Sequence, residues 1–523
     1  MNPKEKVLLV ILDGWGLSAI DYGNAPLLAK TPTMDYIYSA YPKTSLAASG
    51  LEVGLNMGES GNSEVGHLNL GSGRIVWENL PRIDQAIVSG EFAKNPSLNL
   101  VLENVKKNNS ALHLVGIVSD GGVHGHISHL LTLIKIAAEE RVKNLYIHFI
   151  SDGRDTAPNQ AKNFAAQVQE AIKKYNVGKI ATLVGRYTAM DRDKNIDRTE
   201  KALSLMIDNA GQRYETIDQA IEANYKMGKS DEFIEPSVIG EGGKISEKDS
   251  VLFLNYRSDR IRQLSDYFYK PSLVGKVPMS LCVITMTQYR KDQTLPVIFE
   301  PINMNNALGQ LLSEHSLTQS RIAETEKFAH VTYFFNAGIE KPYDGESDSI
   351  VPSKKVATYD LAPEMSAAEI AETTIKSLSD GRDLIVVNFA NGDMVGHSGV
   401  LDATIKACEF VDKSLHQVFA KASEMGYRAI LTADHGNCEL MLDEMTGEPN
   451  KEHTTNPVPF VYLDFRKKPF DPKEVNFSLD DYFQYASGTP IGVLADVTPS
   501  ILANLKISQP EDISGMDLSV AMI

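Results

Sequence analysis

At ~150 residues per domain, a chain of 523 residues corresponds to two to four domains, and 43% hydrophobic with 23% charged residues suits a well-packed globular protein. The formal net charge of −17 excludes a general affinity for nucleic acid or anionic membrane, since both depend on positive fields. Three scattered cysteines, Cys282, Cys408 and Cys438, offer no disulfide framework and no C-x-x-C metal motif, and fit a reducing, cytoplasmic setting.

The first apolar run, Val7–Leu12, is one strand long and stops at Asp13. It lacks the longer core and cleavage site of a signal peptide, and no stretch of the chain approaches the ~20 apolar residues of a membrane span. Thr44–Ala48 predicts a second strand. A segment rich in small residues, Gly58-Glu59-Ser60-Gly61-Asn62-Ser63-Glu64-Val65-Gly66-His67, then leads into Leu68 and Leu70. Trp77–Ile83, with Pro81, reads as a linker. A strand-and-helix series follows: strands Leu112–Val118, Leu145–Ile150, Ile180–Val184, Val251–Leu254 and Leu281–Thr285, with helices at Ser128–Glu140 and Gln160–Tyr175. Leu295–Ile302, with Pro296 and Pro301, reads as a second linker. After it come a helix at Ala367–Leu378 and strands Leu384–Phe389, Ala429–Thr432 and Pro459–Leu463. Short β-branched runs alternating with helical stretches predict an α/β protein. Two domains are expected, each a mainly parallel sheet flanked by helices. Residues 83–299 form a domain inserted into an outer one of residues 1–82 and 300–523.

In the outer domain, acidic and imidazole residues recur where strands end. Val7–Leu12 runs into Asp13, Leu384–Phe389 toward Asp393 and His397, and Ala429–Thr432 into Asp434 and His435; His453 precedes another strand. Ligands of parallel α/β sheets bind beyond the carboxyl ends of the strands, so these segments are expected to converge. Three carboxylates and three imidazoles, without thiolates, suit a pair of divalent ions such as Mn²⁺ or Zn²⁺ better than Ca²⁺. An Asp-Gly after a strand is by itself usually a turn; six such residues at four positions are harder to dismiss. Ser63, at a helix N-terminus beside a divalent ion, would be an activated nucleophile, although the same segment also reads as an ordinary capping loop.

The inner domain repeats the strand-end rule with different residues: His124 after one strand, Arg154 and Asp155 after the next, Arg186 and Arg192 after the third, Arg257 and Arg260 after the fourth. Guanidinium groups clamp carboxylate and phosphate through paired hydrogen bonds. For any single arginine, salt bridging to a neighbouring aspartate explains as much; the shared position points to a site for a ligand with more than one anionic group.

The segments Leu12-Asp13-Gly14-Trp15-Gly16, Gly61-Asn62-Ser63-Glu64-Val65-Gly66-His67, Asp152-Gly153-Arg154-Asp155-Thr156, Asn391-Gly392-Asp393-Met394-Val395-Gly396-His397 and Thr432-Ala433-Asp434-His435-Gly436-Asn437 together resemble the cofactor-independent phosphoglycerate mutases of the alkaline phosphatase superfamily. The resemblance spans nearly the whole chain. It implies an outer phosphatase-like domain with two divalent ions, commonly Mn²⁺, with Zn²⁺, Co²⁺ or Mg²⁺ as alternatives. One ion is expected on Asp393, His397 and His453, the other on Asp13, Ser63, Asp434 and His435. It also implies that His124, Arg154, Asp155, Arg186, Arg192, Arg257 and Arg260 hold phosphoglycerate, that Lys327 assists the transferring phosphoryl group, and that Asp155 shuttles the hydroxyl proton. The expected protein is a cytoplasmic monomer with a small-molecule substrate and no nucleic-acid or membrane partner. The rival readings are another enzyme of the same superfamily, a phosphatase or phosphopentomutase, and a binding protein without turnover.

Overall fold

Six consecutive apolar residues, Val7–Leu12, are buried on both faces and form an inner strand of an eight-stranded sheet, as such runs do in parallel sheets covered on both sides. The structure, a computed structural model, describes residues 5–270, 277–278, 280–473 and 475–520. The chain divides into two units: Met1–Glu78 with Asn303–Ile523, and Asn79–Ile302. Among the described residues no helix is long and apolar enough to cross a membrane.

The first unit holds strands in the order Glu346–Val351, Gln319–Glu324, Leu384–Phe389, Val7–Leu12, Arg428–Thr432, Val458–Asp464, Lys43–Ala47 and Gly492–Val493. All pairings are parallel except those of Val458–Asp464, which runs against both neighbours. Helices cover the sheet through apolar stripes. Leu401–Glu424 buries Ala403, Ala407, Val411, Leu415, Val418 and Ala422 at three- and four-residue spacing, and it packs against Ala367–Ser379.

The second unit carries its own eight-stranded sheet, ordered Val297–Phe299, Cys282–Thr287, Ser250–Phe253, Ala111–Ile117, Asn144–Ser151, Lys179–Gly185, Ser237–Ile239 and Gln212–Tyr214. Five pairings from Val297–Phe299 to Lys179–Gly185 are parallel, and Ser237–Ile239 pairs antiparallel to the last of them.

Two predicted linkers turn out to contain regular structure. Pro81 lies in the first turn of helix Asn79–Val88, where backbone N–H groups have no intrahelical acceptor and proline is tolerated. Val297–Phe299 is an edge strand, a place that accepts the flanking prolines. Gln319–Glu324 escaped prediction because it is polar, yet every residue in it is buried. Arg321 is accommodated there by Gln319 Oε1 at 2.6 Å and by the ring of Phe335, 4.9 Å from its guanidinium carbon.

Candidate active site

Register sets the site. Leu12 lies level with Phe389, Ile11 with Thr432, and Ile322 with Val387. The residues that follow these four strands, Asp13, Asn391–Gly396, Asp434–His435 and Thr325–Lys327, therefore emerge at one edge of the sheet. Ser63 reaches the same edge as the first residue of helix Ser63–Ser72. Asn62, in an extended conformation, caps that helix by accepting from Val65 N at 2.9 Å. Gly66 lets the helix close on the Asp434 segment, since a Cβ there would lie 2.6 Å from Asp434 O.

Ser63 Oγ lies 2.9 Å from His435 Nε2 and 3.3 Å from Asp13 Oδ1. Lys327 Nζ donates to Ser63 Oγ at 2.7 Å and to Asp13 Oδ1 and Asp393 Oδ2 at 2.6 Å each, so all three ammonium protons are used. Burial alone would lower the pKa of Lys327, but Asp13, Asp393 and Asp434 outweigh it and hold the ammonium charged. Burial likewise works against the charge on Asp393 and Asp434. Lys327, His397 and His453 nevertheless pull Asp393 well below the usual carboxylate range, and His435, His67 and Lys327 do the same for Asp434. Asp13 goes the other way, raised by burial and by Asp434.

The imidazoles complete the cluster. His453 Nε2 and His397 Nε2 lie 3.1 and 3.2 Å from Asp393 Oδ1 and 3.1 Å from each other. Two tight donor groups result, Asp393 with His435 and His453, and Asp13 with His67 and Asp434. His435 Nε2 is central, 3.5 Å from Asp434 Oδ2, 3.6 Å from Asp13 Oδ1 and 3.9 Å from Asp393 Oδ1. Three buried carboxylates against one buried lysine leave uncompensated negative charge, which is costly away from water. The mixed oxygen and nitrogen donors therefore fit divalent cations.

His67, in the segment that carries Ser63, also joins the cluster. It lies one helical turn past Ser63, so its Nδ1 comes 2.9 Å from Ser63 O and 3.2 Å from Asp434 Oδ2. The four-residue spacing was the available signal. Asn388, inside a strand, donates to Asp13 Oδ2 at 2.7 Å, and no sequence pattern marks it.

In the second unit the strand-end residues also assemble. Asp152 Oδ1 accepts from Arg186 Nη1 at 2.6 Å and from the Asp155 amide at 3.0 Å, and Arg186 Nη1 reaches Asp155 Oδ2 at 2.5 Å. His124 lies 3.8 Å from Asp155 Oδ2 and 3.5 Å from Asp259 Oδ1. Burial, with the Arg186 charge, lowers His124 to about 4 and keeps it neutral. Asp259 also pairs with Arg192 and Arg257 at 3.2 Å, which makes it the organiser of this cluster. Burial and the neighbouring Arg192, Arg186 and Arg154 lower the pKa of Arg260. Arg186 is buried, whereas Arg154, Arg192 and Arg257 are about half exposed. Arg154, Arg186, Arg192 and Arg257 are thus each paired with a carboxylate, Glu232, Asp152 with Asp155, and Asp259.

Residues 83–291 match the family described as "BPG-independent PGAM N-terminus". The chain is 44% identical over 525 residues to the 2,3-bisphosphoglycerate-independent phosphoglycerate mutase of Clostridium beijerinckii, covering 99% of both chains. It is 45% identical to that of Clostridium novyi, over 98% of this chain and 99% of the relative. Among solved structures, Leishmania mexicana phosphoglycerate mutase at low cobalt concentration shares 29% identity over 98% of each chain, with a TM-score of 0.52. In class, then, this is an α/β isomerase with an Asp/His cluster suited to metal at the strand ends of one unit. The chain belongs to the family of 2,3-bisphosphoglycerate-independent phosphoglycerate mutases.

Proposed function

We propose that the chain interconverts 3-phosphoglycerate and 2-phosphoglycerate by passing the phosphoryl group through Ser63, at a centre of two divalent ions, with Mn²⁺ as the leading candidate. One observation carries the reading. The Ser63 hydroxyl lies within 2.9 Å of both Lys327 Nζ and His435 Nε2, amid three buried carboxylates. A serine serving only as a helix cap has no use for such surroundings.

Asp393, His397 and His453 would hold one ion, and Asp13, Ser63, Asp434 and His435 the other. Bound metal supplies positive charge that favours the serine alkoxide and offsets charge on the transferring group. The chain's own residues do the rest. Lys327 favours the deprotonated Ser63 Oγ and neutralises the phosphoryl oxygens as Oγ forms its bond to phosphorus. The bond from phosphorus to the 3-oxygen breaks as Asp155, protonated at the start of the cycle, gives its proton to that oxygen. His124, Arg154, Arg186, Arg192, Arg257 and Arg260 retain the glycerate. Asp155 then takes the proton of the 2-hydroxyl as that oxygen attacks phosphoserine and frees Ser63. The reverse direction uses the same groups.

The test is to strip the protein of metal and re-supply Mn²⁺, Zn²⁺, Co²⁺ or Mg²⁺ in turn with 3-phosphoglycerate. The expected product is 2-phosphoglycerate, formed without added 2,3-bisphosphoglycerate. Mass spectrometry of quenched protein should find phosphate on Ser63. Ser63→Ala should abolish turnover with an unchanged circular dichroism spectrum, because one hydroxyl contributes little to the fold. A requirement for bisphosphoglycerate, release of free phosphate alone, or an active alanine variant would overturn the reading.

A further inference from the structure

Glu439 is wholly buried, and its carboxylate accepts four hydrogen bonds. Oε2 accepts from the amides of Gly16 at 3.0 Å and Asn437 at 2.8 Å. Oε1 accepts from Asn456 Nδ2 at 2.9 Å and from the hydroxyl of Thr454. This is a carboxylate's full capacity. Each of these segments carries a residue of the metal-binding cluster: Gly16 follows Asp13, Asn437 follows Asp434 and His435, and Thr454 follows His453. Asn437 extends the link, for its Nδ2 lies 3.3 Å from Asp393 Oδ1. The backbone is closed down onto the carboxylate. A Cβ on Gly16 would come within 2.5 Å of both Glu439 oxygens, and one on Gly436 within 2.5 Å of Oε1.

Among the described residues no ion pair involves Glu439, so its charge is compensated by these donors and not by a cation. A buried carboxylate in that state contributes little net stability compared with an apolar side chain of the same volume. What it does contribute is geometry. One rigid group fixes the mutual spacing of segments more than 400 residues apart in sequence (|i−j| = 423 for the Gly16 bond).

We propose that Glu439 is a positioning residue of the metal centre, holding the segments of Asp13, Asp434–His435 and His453 at the spacing that two ions require. The inference rests on the two-metal reading of the site and deepens it. Glu439 itself reaches neither substrate nor metal; it acts through the residues it ties together.

Mn²⁺ titration calorimetry on metal-stripped protein, with electron spin resonance of the loaded samples, tests it. Wild-type protein should take up two Mn²⁺ per chain and show a spin-coupled spectrum; a chain that binds no Mn²⁺ would overturn the two-metal reading itself. Glu439→Gln keeps the volume but turns amide donors toward groups that donate. Its Mn²⁺ affinity should fall by ~10-fold or more, the range found when a partner behind a metal ligand is lost. The coupled spectrum should give way to that of isolated ions. If wild type binds two ions and Glu439→Gln binds them equally well with the same spectrum, while only its melting temperature falls, Glu439 is structural and the inference fails alone. Should Glu439→Gln not fold, Thr454→Val decides. It removes a single hydroxyl and should weaken Mn²⁺ binding by about threefold or more, as expected for one lost hydrogen bond; unchanged affinity would overturn the proposal.

Discussion

Lys327 concentrates the electrostatics of the site in one side chain. Its ammonium touches Asp13, Asp393 and Ser63, and those three come from two different strand ends and a helix start. Nothing in Thr325-Glu326-Lys327 marks it as functional from the residues alone; only the family resemblance pointed to it. Lys327→Met keeps the length of the side chain and removes its charge. The developing phosphoryl charge then loses a preorganised donor, and kcat should fall on the order of 10²–10³-fold, the range seen when one such donor is lost. Metal affinity should not weaken, because the cation removed shares Asp13 and Asp393 with the proposed ions. Steady-state kinetics beside calorimetric Mn²⁺ titration check both halves. A variant that turns over normally would reduce Lys327 to a neutraliser of buried charge.

At the scale of elements, the second sheet is bound across its strands by a buried polar chain. Asp249 Oδ2 lies 3.2 Å from His113 Nε2, His113 Nδ1 lies 3.0 Å from His148 Nε2, and His148 Nδ1 lies 2.9 Å from Thr182 Oγ1. Asp249 can only accept when ionised, so His113 Nε2 donates to it; with both imidazoles neutral the chain continues from His148 to His113 and from Thr182 to His148. Burial, with His113 beside it, holds the pKa of His148 well below 6.5, and burial with Arg186 holds His124 at about 4. For both groups the unfolded chain binds protons first. Their stabilisation is therefore complete above pH ~6.5 and is lost progressively as pH falls toward 4. The melting temperature of metal-free protein should decline across that window, and His148→Gln should flatten the decline. An identical slope in the variant would show that the chain of imidazoles is not proton-sensitive.

At the scale of the whole molecule, two units carry two different chemistries. The first holds Ser63, Lys327 and the carboxylate–imidazole cluster; the second holds His124, Asp155 and the arginines. If the arginines serve to retain glycerate, weakening them should spare transfer to Ser63 more than return from it. Arg154→Ala or Arg257→Ala should lower the yield of 2-phosphoglycerate while raising the share of substrate lost as free phosphate, since phosphoserine then meets water more often than glycerate. Both arginines are half exposed, so neither substitution should disturb the fold. Product analysis by ³¹P resonance measures the ratio directly. A parallel fall in both products would place the arginines in substrate capture and not in retention.

The amino-acid sequence by itself determined the α/β class and most of the strands. Runs such as Val7–Leu12 and Leu384–Phe389 are apolar on both faces, and only a covered parallel strand asks for that. It also marked Asp13, Asp393, His397, Asp434 and His435, which follow such strands, and His453, which precedes one, because polar residues at strand ends are visible without any knowledge of pairing. Gln319–Glu324 was illegible: Glu324 Oε1 accepts from the Ser366 amide and the Arg321 guanidinium packs over Phe335, partners outside the strand, so its local pattern reads as surface. Asn388 and Glu439 were illegible as site residues for a related reason, and His67 was signalled only by its four-residue spacing from Ser63. The contacts of His67 with Asp434, of Asn388 with Asp13 and of Glu439 with the Gly16 amide span separations that no local window contains. Which strand ends lie level, and so which of the marked residues meet, was decided only by the tertiary register of Val7 with both Leu384 and Arg428. Strand pairing is a long-range choice, set by how both faces of the sheet are buried and not by the residues of either strand alone.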